Sequence, residues 1–91
     1  MGTQNTTTVD FGATPVDEGT FAIVDAALSG LTYAEAWIMR DSTANNTVLN
    51  HEIANAFIRL SCSISGTTLT IHCFLEAGLV TGLIKIRYVA N

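Results

Sequence analysis

At 91 residues the chain has room for one hydrophobic core and not for two. Charged residues make up 13% of it and apolar residues 48%, so its charge content is about half the ~25% usual for soluble domains. A net charge of −4, with the cations Arg40, Arg59, Lys85 and Arg87 forming no basic run, argues against nucleic acid and anionic membrane surfaces, which need clustered Lys or Arg.

A chain this small buries only about 60–70% of the surface it exposes when unfolded. Part of its apolar surface is therefore expected to meet a partner, first of all another copy of itself. No run of about 18 apolar residues is present to span a bilayer. The opening Met1-Gly2-Thr3-Gln4-Asn5 has neither the basic nor the apolar stretch of a secretion signal, so a reducing cytosol is expected.

Residues 1–8 are polar and Thr-rich and read as a flexible N-terminal arm able to order as an added strand on assembly. Thr6, Thr7 and Thr8 are therefore candidate interface residues. Residues 9–91 read as a single β domain. Residues 12–19 hold the only proline, Pro15, beside Asp17, Glu18 and Gly19, and predict a turn. Residues 21–28 predict a strand, because the Ile23-Val24 pair and the short span between glycine-marked turns outweigh the helical spacing of Phe21, Val24 and Leu28.

Residues 32–40 predict a strand with Ala34, Ala36 and Ile38 on one face and Tyr33, Glu35, Trp37 and Met39 on the other. Two readings of this strand stay open. With the small residues inward, Tyr33, Trp37 and Met39 form an exposed interface row; in a sandwich centre both faces are buried. Residues 41–50 form the longest polar connection and predict an exposed loop. Apolar residues then recur at every second position over 54–64, which predicts a strand with one buried face. The turn 65–68 joins it to a second alternating strand, 69–75, as a hairpin, and residues 83–90 alternate again. The expected fold is all-β, a small antiparallel sandwich or barrel of about six to seven strands.

Candidate chemistry is sparse. His51-Glu52 opens like a zinc-protease helix, but Asn55 stands where the second histidine is required, so His51 reads as an end-of-loop residue bonded to the Asn-rich turn. Cys62 and Cys73 fall on the apolar faces of the two hairpin strands, as a possible thiol pair. They are either small buried thiols or a bridge formed in an oxidising medium. His72 points to the face opposite Cys73, which denies a thiolate its base. Asp41 with Asn45, Asn46 and Asn50 offers oxygen ligands without the spacing of a calcium loop, and no glycine pattern cradles a phosphate. No cofactor, metal site or catalytic activity is expected.

The order of motifs V-D-F-G-A (9–13), A-E-A-W-I-M (34–39), N-H (50–51), L-S-C (60–62), G-T-x-L-T-I-H (66–72) and G-x-x-x-I-R-Y-V (82–89) resembles short virion proteins of tailed bacteriophages. The resemblance implies a multi-copy structural protein in the virion, assembled in the host cytoplasm. In that role it would act as a capsid decoration or cement protein, contacting the major capsid or other virion proteins and associating with itself, most simply as a trimer that buries Tyr33, Trp37 and Met39. A tail- or fibre-associated module binding a host-surface glycan through Trp37, Tyr33 and the 41–50 loop is the alternative.

Overall fold

The computed structural model describes residues 2–91. Six strands and one helix follow in the order β1 (Thr3–Asp10), β2 (Glu18–Val24), β3 (Ala34–Ile38), α1 (Val48–Phe57), β4 (Ile58–Ser65), β5 (Thr68–Leu75) and β6 (Leu83–Ala90). They make two three-stranded antiparallel sheets, β1-β6-β3 and β2-β5-β4, which approach each other where β3 passes β4. Each sheet centres on a C-terminal strand whose apolar positions recur every second residue. Leu69, Ile71, Cys73 and Leu75 of β5 and Ile84, Ile86, Tyr88 and Ala90 of β6 point into one shared core with Val9, Leu28, Ile38 and Ile58. Phe11 and Phe21 close it edge to face, their ring centres 5.1 Å apart.

The all-β expectation holds, and the hairpin stands where the alternation placed it. Gly66 and Thr67 are the two turn residues between Ser65 and Thr68, which pair directly. The φ of +61° at Gly66 is what the first position of a II′ turn needs and what a side chain would resist.

Three expectations are corrected. Thr3 to Thr8, read as a flexible arm, belong to β1, which pairs with β6 along all eight of its residues, from Thr3 opposite Ala90 to Asp10 opposite Leu83. Of the rest of that arm, Gly2 precedes β1 and Met1 lies outside the described residues. The strand expected over 21–28 ends at Val24; Asp25 then caps a short 3₁₀ turn, Ala26–Leu28, accepting from the Ala27 N–H, and Leu28 is fully buried. The strand expected from Ala54 begins only at Ile58, because residues 48–57 are helical. Thr47 caps that helix by accepting from the Asn50 N–H at 3.1 Å. Its spacing places His51, Ala54 and Ile58 inward and Leu49, Ile53 and Phe57 outward. Ala54 and Ala56 share the parity of Ile58, which is why the β period seemed to reach back to them.

The polar segment before α1 does more than connect. β3 covers only one end of β6, and past its end the open edge of β6 is met by side chains instead of backbone. Asn45 Oδ1 accepts from the Leu83 N–H, while Thr43 Oγ1 and Asn46 Nδ2 donate to the Leu83 carbonyl at 2.8 and 2.9 Å. Asn46 Nδ2 also donates to the Thr81 carbonyl, and His51 Nε2 accepts from the Lys85 N–H at 3.1 Å. These groups replace a missing strand rung by rung. Gly82 makes the approach possible: a Cβ there would stand 2.5 Å from the Cβ of Asn45.

Candidate interaction surfaces

His51 is a helix residue and not an end-of-loop one, and it is the buried polar residue of the core at 0% exposure. Its Nδ1 lies 2.9 Å from the Thr47 carbonyl and its Nε2 receives the Lys85 N–H. The carbonyl can only accept and the amide can only donate, so the ring is the neutral tautomer protonated on Nδ1. Both nitrogens are occupied, which leaves neither for a metal or a substrate. His72 sits on the exposed face of β5, with Nδ1 3.3 Å from Thr20 Oγ1.

Cys62 and Cys73 are free thiols on the same inner face of β4 and β5. The register sets Cys73 opposite Leu60 and Cys62 opposite Ile71, so the two cysteines are diagonal neighbours. Diagonal positions lie about 7–8 Å apart, beyond disulfide reach. Burial pushes the Cys73 thiol up to about 12, with a smaller push from Cys62, and raises Cys62 as well. Neither thiol is disposed to ionise, which makes both small core side chains.

Tyr88 and Asp25 tie the sheets together. The Tyr88 hydroxyl donates to Asp25 Oδ2 at 2.7 Å from a ring that is 1% exposed. Burial, then the Asp25 carboxylate, pushes the phenol up to about 12. The same hydrogen bond, followed by the Ala27 N–H, holds the Asp25 carboxyl below its ordinary value. The folded state thus favours the ionised Asp25, a contribution present above the unfolded carboxylate's titration and lost as pH falls below about 4. Asp41 loses ionisation in the same window, its carboxyl lowered by the Ser42 N–H and then by Lys85. Asp25→Asn is expected to flatten the acid limb without abolishing it. Urea titrations at pH 7 and pH 3 check this; parallel losses in the two proteins would refute it.

The β3 strand is not buried on both faces: two of the three residues of the Tyr33, Trp37 and Met39 row are open to solvent. Ala34, Ala36 and Ile38 face inward, Tyr33 and Trp37 are exposed, and Met39 is half-buried. Trp37 stands opposite Arg87 of β6, and the Tyr33 hydroxyl donates to Glu35, whose carboxylate raises the phenol's pKa. A slot of about 400 Å³ opens between Glu35 and Trp37 on β3 and Leu60, Ser61 and Cys62 on β4. Thr6 and Thr8 lie on the same outer sheet face as Trp37 and are exposed, whereas Thr7 turns inward against Ile86.

A second apolar surface had no counterpart in the sequence reading. Leu49, Ile53 and Phe57 form a stripe along the outer side of α1, and Leu79 projects beside it from the loop before β6. Between them lies a groove of about 450 Å³, with Ile53, Phe57 and Leu79 on its walls and Asn46 and Asn50 at one end. Read as a loop over 41–50 and a strand from Ala54, the sequence keeps Leu49 and Ile53 apart from Phe57; the helix gathers all three on one side.

Among the described residues no group of three or more His, Cys, Asp or Glu is placed to hold a metal ion. No helix is long and apolar enough to cross a membrane. No protein-family model, curated protein or solved structure matches the chain.

Proposed function

We propose that the chain is a non-enzymatic structural protein of a tailed-bacteriophage virion, present in many copies, which decorates and stabilises the capsid by binding itself and the major capsid or other virion proteins. The observation that carries the reading is the surface. Eight large apolar side chains, among them Tyr33, Trp37, Leu49, Ile53, Phe57 and Leu79, stay exposed around a core that is already closed. Apolar side chains grouped in this way mark contact surfaces. The residues that could carry chemistry support the same reading, since His51, Cys62 and Cys73 are taken up in packing and backbone bonds.

Pairing of Thr3–Asp10 with β6 changes how such a protein would assemble. A donated arm would have to unzip β1, so contact between folded surfaces is the simpler mode, with a trimer around Trp37 as one arrangement. Light scattering across a concentration series, with mass spectrometry of purified particles, tests the proposal. The expected result is a self-associating protein found in stoichiometric amounts in particles. A strict monomer absent from particles overturns it. One observation favours a glycan-binding module instead: Trp37 flanks a slot that also presents Glu35 and Ser61. Loss of glycan-array binding on Trp37→Ala would support that reading, and no binding by the parent protein would end it.

A further inference from the structure

We propose that the outer side of α1 is a two-fold self-association surface, on which the Leu49, Ile53 and Phe57 stripe of one copy packs antiparallel against the same stripe of a second copy. The inference rests on the self-association reading above and names a surface for it that is separate from the Trp37 row.

Exposure alone does not choose the partner; charge does. The chain carries eight acidic and four basic residues. Three ion pairs border α1 and its groove: Arg40 with Glu52 at 2.6 Å, Arg59 with Glu76, and Lys85 with Asp41 at 3.2 Å. Removing those three pairs leaves Asp10, Asp17, Glu18, Asp25 and Glu35 against Arg87, five negative charges and one positive, which is the whole net charge of −4. Glu52, the charged residue of α1, and the charges flanking the helix are thus paired, while the excess negative charge is carried by residues of β1, β2, β3 and the segments between them. Two copies of an acidic protein repel least across such a surface. A strongly basic partner would be drawn instead to the residues that carry the excess negative charge.

The spacing of the stripe fits a second copy as well. Leu49, Ile53 and Phe57 recur every fourth residue, at exposures of 62%, 50% and 45%. In an antiparallel pair related by a two-fold axis at Ile53, Leu49 of each copy meets Phe57 of the other and Ile53 meets its own counterpart. Leu79, at 64% exposure, extends the apolar centre across the groove. Asn46 and Asn50 supply a polar rim. An isologous contact uses the patch twice, which is how four side chains can seed an interface that needs about 800 Å² from each partner.

The test uses the full chain in three variants: Ile53→Glu in the stripe, Asn55→Glu on the helix flank facing away from the groove, and Trp37→Glu on β3. Light scattering is expected to show a twofold fall in weight-average mass for Ile53→Glu. Asn55→Glu should keep the parent mass, which separates loss of contact from added charge, and circular dichroism checks that each variant folds. Ile53→Cys, oxidised at low concentration, should form a disulfide-linked dimer, because only a two-fold contact brings this position against itself. A self-associating parent protein whose mass is unchanged by Ile53→Glu, or falls only with Trp37→Glu, overturns this inference and leaves the structural reading intact. A parent protein that is monomeric at every concentration also overturns this inference, and the structural reading falls with it only where the protein is absent from purified particles as well.

Discussion

Replacing Ile71 by alanine is expected to cost about 2–5 kcal/mol of folding free energy, the largest effect of any single substitution considered. Ile71 is fully buried in the middle strand of its sheet, with Phe21 opposite it on β2 and Cys62 opposite it on β4. Both neighbours hang from strands held by their own ladders, so the space left by the lost side chain cannot close by a small shift. A domain of this size has a total stability of about 5–15 kcal/mol, and each kcal/mol moves its melting temperature by about 4–8 °C. Urea unfolding should show the midpoint falling sharply with an unchanged slope. Ser63→Ala, on the wet face of the neighbouring strand, should stay within about 0.5 kcal/mol of the parent. An Ile71→Ala protein as stable as Ser63→Ala would mean that the two sheets do not share this core.

His51→Leu is expected to cost about 1–3 kcal/mol although the replacement is apolar and of similar bulk. The loss is polar: the Lys85 N–H and the Thr47 carbonyl each lose a partner inside the protein. The distinguishing readout is local. Amide hydrogen exchange at Lys85 should quicken by more than the change in global stability accounts for, while the amide of Ile71 should follow global stability alone. Equal acceleration at both sites would show that His51 acts only as filler. Asn45→Ala, which removes the acceptor for the exposed Leu83 N–H, should give the same pattern more weakly.

Which features could be read from the sequence follows from how local their causes are. The β4–β5 hairpin was legible because a two-residue period and Gly66 lie within one short stretch. β6 was legible for the same reason, and so was the outward row of β3 as one of two readings, since alternation fixes which residues share a face but not which face is covered. Failures came where the cause is distant or degenerate. Alanine is small enough to suit either period, so Ala54 and Ala56 carried a strand pattern back into a helix whose start signal, Thr47, was hidden in a polar run. The work of Thr43, Asn45, Asn46 and His51 is defined by partners 34 to 40 residues away, and nothing in the local pattern distinguishes such a segment from a solvated loop. The apolar stripe of α1 vanished with the helix that creates it. The diagonal placement of Cys62 and Cys73 depended on a pairing register that composition does not set.

β6 follows the five other strands in sequence, and β1 is held by it. Among the described residues β1 and β3 have no ladder partner other than β6, so both remain without one on the ribosome until residues 83–90 emerge. The β2-β5-β4 sheet can close earlier. Nascent chains halted just before residue 83 should therefore hold one sheet and two waiting strands. The polar, Thr-rich make-up of β1 suits a segment that must spend that interval in water without pairing to the wrong neighbour.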